Sequence, residues 1–239
     1  ALLTKAAASL PSLQQYRLTL PEGTRIEVDF RDVSAMYWCN HLMGDPFEEH
    51  GLVQAIHQHM ESGDILWDIG ANSGLLSYHI AKAGKAGEIH SFEPNPKMSR
   101  LASQAVSSFQ HAVVHPFGIS ETDAELTLTI PHGHTTMGTL EPDSTGRSGD
   151  QCTVVCRAGD DLVFKEGFRP PRIIKIDTEG HELSVLRGLR RTIATHRPVI
   201  FLEHISLDLD EVKEVVPIFY RQFTVCDATG ELHPADATH

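Results

Sequence analysis

The stretch Ile65-Leu-Trp-Asp-Ile-Gly-Ala-Asn-Ser-Gly74 decides the fold. Its first five residues are a short, nearly unbroken apolar run, the mark of a buried strand, and Gly70 and Gly74 then bracket a tight turn. Working outward, Leu75–Ala83 reads as a helix closed by Gly84. Glu88–Glu93 is a second strand. Asn95-Pro96 supplies an N-cap and a first helical residue, and Met98, Leu101, Ala102, Ala105 and Val106 give that helix its apolar face. Ala112–Phe117 is a third strand. Residues 124–130 and 152–157 read as strands separated by a long polar loop, 131–151. Arg172–Asp177 is another buried strand, followed by a helix with Leu186, Leu189 and Ile193 on one side and Arg187, Arg190 and Arg191 on the other. Pro198–His204 is the next strand.

Strand and helix alternating over residues 64–204 predict an α/β fold, a mainly parallel sheet with helices on both faces. Upstream, residues 16–30 alternate around Pro21-Glu-Gly23 and predict a β-hairpin, and Leu52, Ile56 and Met60 predict a helix over 47–60. Downstream, Phe219–Asp227 and Glu231–His233 flank Ala228-Thr-Gly230 as a C-terminal antiparallel hairpin. The expected organisation is an N-terminal β-hairpin extension, residues 1–46, on a single domain, residues 47–239. Hairpins at both ends are expected either to close the sheet or to make a homodimer interface.

The chain has 239 residues, and 20 basic against 32 acidic side chains leave it at −12. That balance argues against nucleic acid as partner, which needs a basic footprint, and favours a small-molecule acceptor. The apolar runs, such as Val199–Leu202, are too short to span a bilayer, and Ala1–Leu10 lacks the apolar core of a signal peptide, so no membrane partner and a cytoplasmic location are expected. Cys39, Cys152, Cys156 and Cys226 contain no C-x-x-C pair and read as reduced structural residues. The 15 histidines invite a metal, but most are scattered, and only His204, His181 and the His132/His134 pair merit attention.

In a parallel sheet ligands sit beyond the carboxyl ends of the strands. There the first strand ends in Asp68-Ile-Gly-Ala-Asn-Ser-Gly74 and the second in Glu93. Glycines permit close backbone approach, and an acid at the second strand end suits the hydroxyls of a ribose. A dinucleotide enzyme wants G-x-G-x-x-G facing a pyrophosphate. The turn here is G-x-N-x-G preceded by an acid, which suits a cationic ligand such as S-adenosylmethionine better.

These segments, together with Ser91-Phe-Glu-Pro-Asn-Pro96, Ile174-Lys-Ile-Asp-Thr-Glu-Gly-His-Glu182, Leu186-Arg-Gly188 and Arg197–Glu203, make the chain resemble the FkbM family of S-adenosylmethionine-dependent methyltransferases. The likeness covers about residues 47–204. One departure is Arg157-Ala-Gly-Asp-Asp-Leu162, where the family more often shows T-L-D-D-L. The resemblance implies a Rossmann-like fold and methyl transfer, commonly to a hydroxyl of a sugar or natural product. Asp68, Gly70, Asn72 and Glu93 match its cofactor positions, and Gly74, Pro94, Gly118 and Asp177 complete the candidate cofactor set.

Methyl transfer to a hydroxyl requires an aligned acceptor, exclusion of water and removal of a proton. Asp177 and Glu179 at one strand end, with Glu203 and His204 at the next, are the candidate catalytic residues. The competing expectation is that Glu179 and Glu182 only complement a helix N-terminus. The same strand ends could instead hold a divalent metal through Asp177, Glu203 and His204. Loop 131–151, carrying His132, His134, Thr135, Thr136, Met137 and Arg147, is expected to cover the substrate. Carboxyl or N-methylation by the same core, a non-catalytic nucleoside-binding protein and a dehydrogenase are the alternatives.

Overall fold

The computed structural model describes residues 15–44, 50–132, 135–141, 149–203 and 209–235. The five central strands are β3 (Ile65–Ile69), β4 (Glu88–Phe92), β5 (Ala112–His115), β9 (Ile173–Ile176) and β10 (Val199–Leu202). They form one sheet in the order β10-β9-β3-β4-β5, with every pairing parallel. The chain runs outward from β3 to β5, then returns to place β9 against the other side of β3. The strand order therefore reverses between β3 and β9, and the crevice at the carboxyl ends of those two strands is where such sheets bind ligands.

Alternation along β3 sorts the core onto two faces. Leu66 packs with Leu75, Tyr78, Ile89, Met98 and Leu101, under α3 (Leu75–Ala83) and α4 (Pro96–Ala105). Ile65, Trp67 and Ile69 pack with Phe92, Ile174, Ile176, Val185, Leu186 and Leu189 on the opposite face. The side chain of Asn95 accepts a 3.0 Å hydrogen bond from Lys97 N with Pro96 at the first helical position, so α4 starts where the sequence places it.

The amino-terminal hairpin is present as β1 (Tyr16–Thr19) and β2 (Arg25–Val28). Leu20, Ile26 and Val28 are buried in the cluster beneath α3 and α4. A helix not expected from the sequence follows, α1 (Val33–Met43), capped by Asp32, which accepts from Ser34 N at 3.0 Å. The helix read over 47–60 is described as α2 (His50–His59).

The middle of the chain departs most from expectation. The third strand stops at His115, and β6 (Gly118–Ser120) leaves the main sheet to pair in parallel with β8 (Gly149–Ala158). β7 (Ala124–Pro131) pairs antiparallel with β8, so β6, β8 and β7 form a second, three-stranded sheet. Both arms run further into residues 131–151 than composition suggests, because each strand supplies the other's backbone partners out to the Pro131–Gly149 pair. A 3₁₀ turn, Thr135–Met137, and a bridge between Thr129 and Thr139 fold the described part of that segment back on β7. After α5 (Gly159–Phe164) and β9, the long helix expected around Leu186–Ile193 is broken at Leu189 into α6 (Glu182–Gly188) and α7 (Arg190–His196). A further helix, α8 (Leu209–Val215), precedes the closing hairpin β11 (Phe223–Val225) and β12 (Leu232–Pro234). All four cysteines are free, and no described helix is long and apolar enough to cross a membrane.

Candidate functional site

One cleft opens at the carboxyl ends of β3, β4 and β9. Its walls include Gly70 and Asn72 from the turn after β3, Glu93 and Pro94 after β4, and Asp177, Thr178 and Glu179 after β9. Gly118 and Ile119 reach it from β6, and Leu128, Thr136, Gly138 and Leu140 from the β7–β8 side.

The turn after β3 is built by close packing. Gly70 has φ +78°, and a Cβ there would overlap the carbonyl oxygen of Asp177, so the two strand ends touch backbone to backbone. Gly74 has φ +80°, and a Cβ there would lie 2.7 Å from Cα of Ala102 on α4. Gly74 thus serves helix packing and does not line the cleft. Asp68 does not line it either. It is fully buried behind the turn, accepts a 2.5 Å hydrogen bond from Ser77 Oγ and lies 3.5 Å from Lys175 Nζ.

Glu93 faces the cleft from the end of β4. Its Oε2 accepts from Asn72 N and its Oε1 from Asn95 N, both at 2.8 Å. Two fixed amides orient the carboxylate and leave lone pairs for a ligand. Burial pushes this acid up to about 7, although the two amides and Lys175 oppose the rise.

The other end of the cleft is a cluster of acids. Burial raises Asp177, but Lys175 Nζ at 3.2 Å and a hydrogen bond with Glu203 outweigh it and hold the carboxyl below its ordinary range. Glu203 is pushed up to about 8, first by burial and then by Asp177. The two carboxyls therefore share a proton, with Glu203 as donor. Glu179 has φ +55° and is also raised, by burial, Asp177 and Glu182. Glu182 turns away from the cleft: its Oε1 accepts from Thr178 N, Thr178 Oγ1 and Gly180 N and so folds the loop that presents Glu179. His204, named with these acids, lies outside the described residues, as do His134 and Arg147. Among the described residues, no group of three or more His, Cys, Asp and Glu side chains is arranged to hold a metal ion.

Residues 135–141 cross the cleft between these two ends. Asn72 Nδ2 donates to Thr136 O at 3.1 Å, and Thr139 Oγ1 donates to Glu179 O at 2.7 Å. His181 is buried with Nδ1 2.8 Å from Glu141 Oε1 and Nε2 3.0 Å from Ser120 Oγ. With Nδ1–H donating to the carboxylate, the imidazole ties the crossing segment to β6. Sequence reading found the acids and missed Lys175, which hides inside the apolar run of β9. An isolated lysine between isoleucines was the available signal.

Residues 68–228 match the family model described as the methyltransferase FkbM domain. Among curated proteins, the chain is 26% identical over 169 residues to the hexuronic acid methyltransferase AglP of Haloferax volcanii, covering 70% of this chain and 67% of that protein. It is 28% identical over 106 residues to an arginine N(omega)-methyltransferase of Streptomyces achromogenes subsp. streptozoticus, covering 44% of this chain and 28% of that protein. Among solved structures, the methyltransferase FkbM from Methylobacillus flagellatus KT matches with a TM-score of 0.51 at 19% identity, covering 72% of this chain and 47% of that one. The chain thus spans about half the length of that solved relative.

Proposed function

Since this chain belongs to the FkbM methyltransferase family, we propose that it uses S-adenosylmethionine to methylate a hydroxyl of a small acceptor such as a sugar or natural product. The observation that carries the reading is one cleft with an oriented acid at one end, Glu93, and two acids at the other, Asp177 and Glu179, with Glu203 hydrogen-bonded to Asp177. The donor fits the residues present. Glu93 keeps acceptor capacity for the two hydroxyls of a ribose, and Ile119, Leu128 and Leu140 offer apolar cover. A pyrophosphate fits poorly, because the turn Gly70-Ala-Asn-Ser-Gly74 lacks the G-x-G-x-x-G spacing whose backbone amides cradle one.

Bound S-adenosylmethionine would supply a methyl group made electrophilic by its sulfonium. The protein's work is then to align the acceptor and manage one proton. Asp177 accepts a hydrogen bond from the acceptor hydroxyl. The proton moves onto its carboxylate as the new oxygen–carbon bond makes that oxygen strongly acidic. Glu203 steadies the carboxylate through the shared proton, and residues 135–141 shield the cleft from water. A carboxylate acceptor needs no proton removed and would be repelled by this cluster, which favours a neutral hydroxyl over an ester-forming reaction.

The test is calorimetry with S-adenosylmethionine and with NAD, followed by labelled-methyl transfer to a panel of hexuronic acid glycosides, neutral sugars, hydroxylated natural products, amines and arginine, with and without EDTA. We expect binding of the first ligand only, and base-stable label on a hydroxyl of the acceptor; base-labile label, a methyl ester on a uronate carboxyl, overturns the hydroxyl assignment. Failure to bind S-adenosylmethionine overturns the donor assignment. Label in arginine alone overturns the hydroxyl assignment, since the acids would also attract a guanidinium.

A further inference from the structure

Lys175 sits in the middle of the sheet, only 3% exposed, on a strand whose other residues are all isoleucine. A buried ammonium costs several kcal/mol unless it is paired and hydrogen-bonded. Its register neighbours are Asp68 on β3 and Phe201 on β10. Charged and polar groups face it from several elements, and Glu93 after β4 and Glu179 after β9 also feel its charge. Asp68 Oδ1 from β3 is 3.5 Å away, Gly70 O in the turn after β3 accepts a hydrogen bond from it at 2.9 Å, and Asp177 Oδ2 at the end of β9 is 3.2 Å away. Glu203, after β10, meets the same cluster through Asp177.

Without this ammonium, the fully buried Asp68 and the part-buried Asp177 would be left as neighbouring carboxylates lacking the positive charge between them. Many arrangements of acids at strand ends solve that problem by recruiting a divalent cation. Here the compensating positive charge belongs to the chain itself, and its three contacts join the turn on the donor side to the acid on the acceptor side.

We propose that Lys175 is a positioning residue that acts as the built-in counter-ion of the acceptor acids, holding Asp177 ionised and tied to the Gly70 turn at the point where a divalent cation would otherwise be needed. This deepens the methyltransferase reading and rests on it for the role of Asp177. The ammonium never touches the acceptor. It sets the charge and the position of the carboxylate that does, and it removes the room and the electrostatic demand for a metal.

The test uses the full chain labelled with 13C at aspartate and glutamate side-chain carboxyls, with signals assigned through Asp177→Asn and Glu203→Gln. In the wild type at pH 7 the Asp177 signal should report an ionised carboxylate, and adding Mn²⁺ should leave the Asp177 and Glu203 signals unbroadened. In Lys175→Met the Asp177 signal should move to the protonated position, or the two signals should broaden with Mn²⁺ as the acids take up a replacement cation. A wild-type Asp177 that is protonated at pH 7, or wild-type signals that Mn²⁺ broadens, would overturn the proposal without any lysine variant. So would a folded Lys175→Met protein with Asp177 still ionised and unaffected by Mn²⁺. Because Lys175→Met leaves Asp68 as an unpaired buried charge and is at risk of not folding, Asp68→Asn/Lys175→Met removes both charges and is read by the same two criteria. Calorimetry with S-adenosylmethionine on the wild type runs in parallel. Loss of that binding alone counts against the donor assignment and leaves the carboxyl spectra to decide the role of Lys175.

Discussion

The two ends of the cleft are organised by different means. At the ends of β3 and β4 the fixed points are backbone groups: the amides of Asn72 and Asn95 on Glu93, and the amides of Gly70 and Ala71 on Phe92 O at 3.0 and 3.1 Å. At the ends of β9 and β10 the fixed points are side chains, with Lys175 and Glu203 on Asp177 and Glu182 beneath Glu179. A backbone-held acid keeps its place whatever its charge state. An acid held by other ionisable groups changes its surroundings when any of them gains or loses a proton. The first end is suited to a constant ligand and the second to a reaction that moves a proton.

The largest effect should come from the point where the two ends touch. Gly70→Ala forces a side chain onto the Asp177 carbonyl at φ +78°. Backbone strain of about 1–3 kcal/mol and overpacking of about 1–3 kcal/mol together predict a loss of roughly 2–6 kcal/mol in urea unfolding. A loss under about 1 kcal/mol would mean the strand ends can part freely. Next, Glu93→Ala should weaken S-adenosylmethionine binding about 10–150-fold by calorimetry, the equivalent of a charged hydrogen bond of about 1.5–3 kcal/mol. An unchanged affinity would remove Glu93 from the donor end.

A smaller effect separates the two kinds of acid by pH. Glu203 is raised in the folded state from 4.5 to about 8, so the folded protein holds this proton more tightly than the unfolded chain. Its stabilisation is complete below pH 4.5 and is lost as pH rises toward 8. Asp177, held low, acts in the opposite sense: its stabilisation is complete above 3.8 and is lost in acid. Glu203→Gln keeps an N–H donor but cannot titrate. On going from pH 5 to pH 8 the urea midpoint should therefore fall less, or rise more, in this variant than in the wild type, and equal changes would show that no proton is shared. The remaining slope includes Glu93, raised to about 7, whose stabilisation likewise fades between pH 4.5 and 7, and in the opposite sense His79 and His115, lowered by burial to about 4, whose stabilisation is complete above 6.5 and fades toward pH 4.

The smallest effect is expected in the crossing segment. Glu141→Ala removes a half-exposed partner of His181. Exposed pairs contribute about 0.2–1 kcal/mol, so donor affinity should change less than about fivefold. A tenfold loss would make this segment part of the donor end.

The contrast also explains what the sequence revealed. The donor end is coded locally: a buried strand, two glycines, a helix, a strand and an acid lie within residues 65–93, and Asn95-Pro96 marks the next helix start. The five-stranded sheet and both terminal hairpins follow from the same short-range patterns. The acids after β9 and β10 were legible as strand ends. Their mutual proton was not, because it depends on Lys175, which local pattern assigns to an apolar strand. Of the β6-β8-β7 sheet only β7 and β8 were read, as separate strands, and β6 was missed, since Gly118–Ser120 pairs with residues almost 40 positions away. Helix α1 escaped because its apolar residues, with the fully buried Trp38 among them, are spread round the helix with no clear stripe, and tertiary packing rather than amphipathicity holds it. The break at Leu189 is likewise set by surroundings: Asp160 accepts from the amides of Arg191 and Thr192, starting α7 from a neighbouring element.

Gly74 carries one last implication. The turn that carries Gly70 and Asn72 into the donor end closes, at Gly74, on the seam where α3 meets α4, with Cα of Ala102 filling the space a side chain would take. Such a turn has no private flexibility. Its amides, Gly74 N on Ala71 O among them, belong to the same cooperative unit as the core beneath. In hydrogen-exchange terms they should open only when the whole domain opens, so that the shape presented to a ligand lasts as long as the fold does.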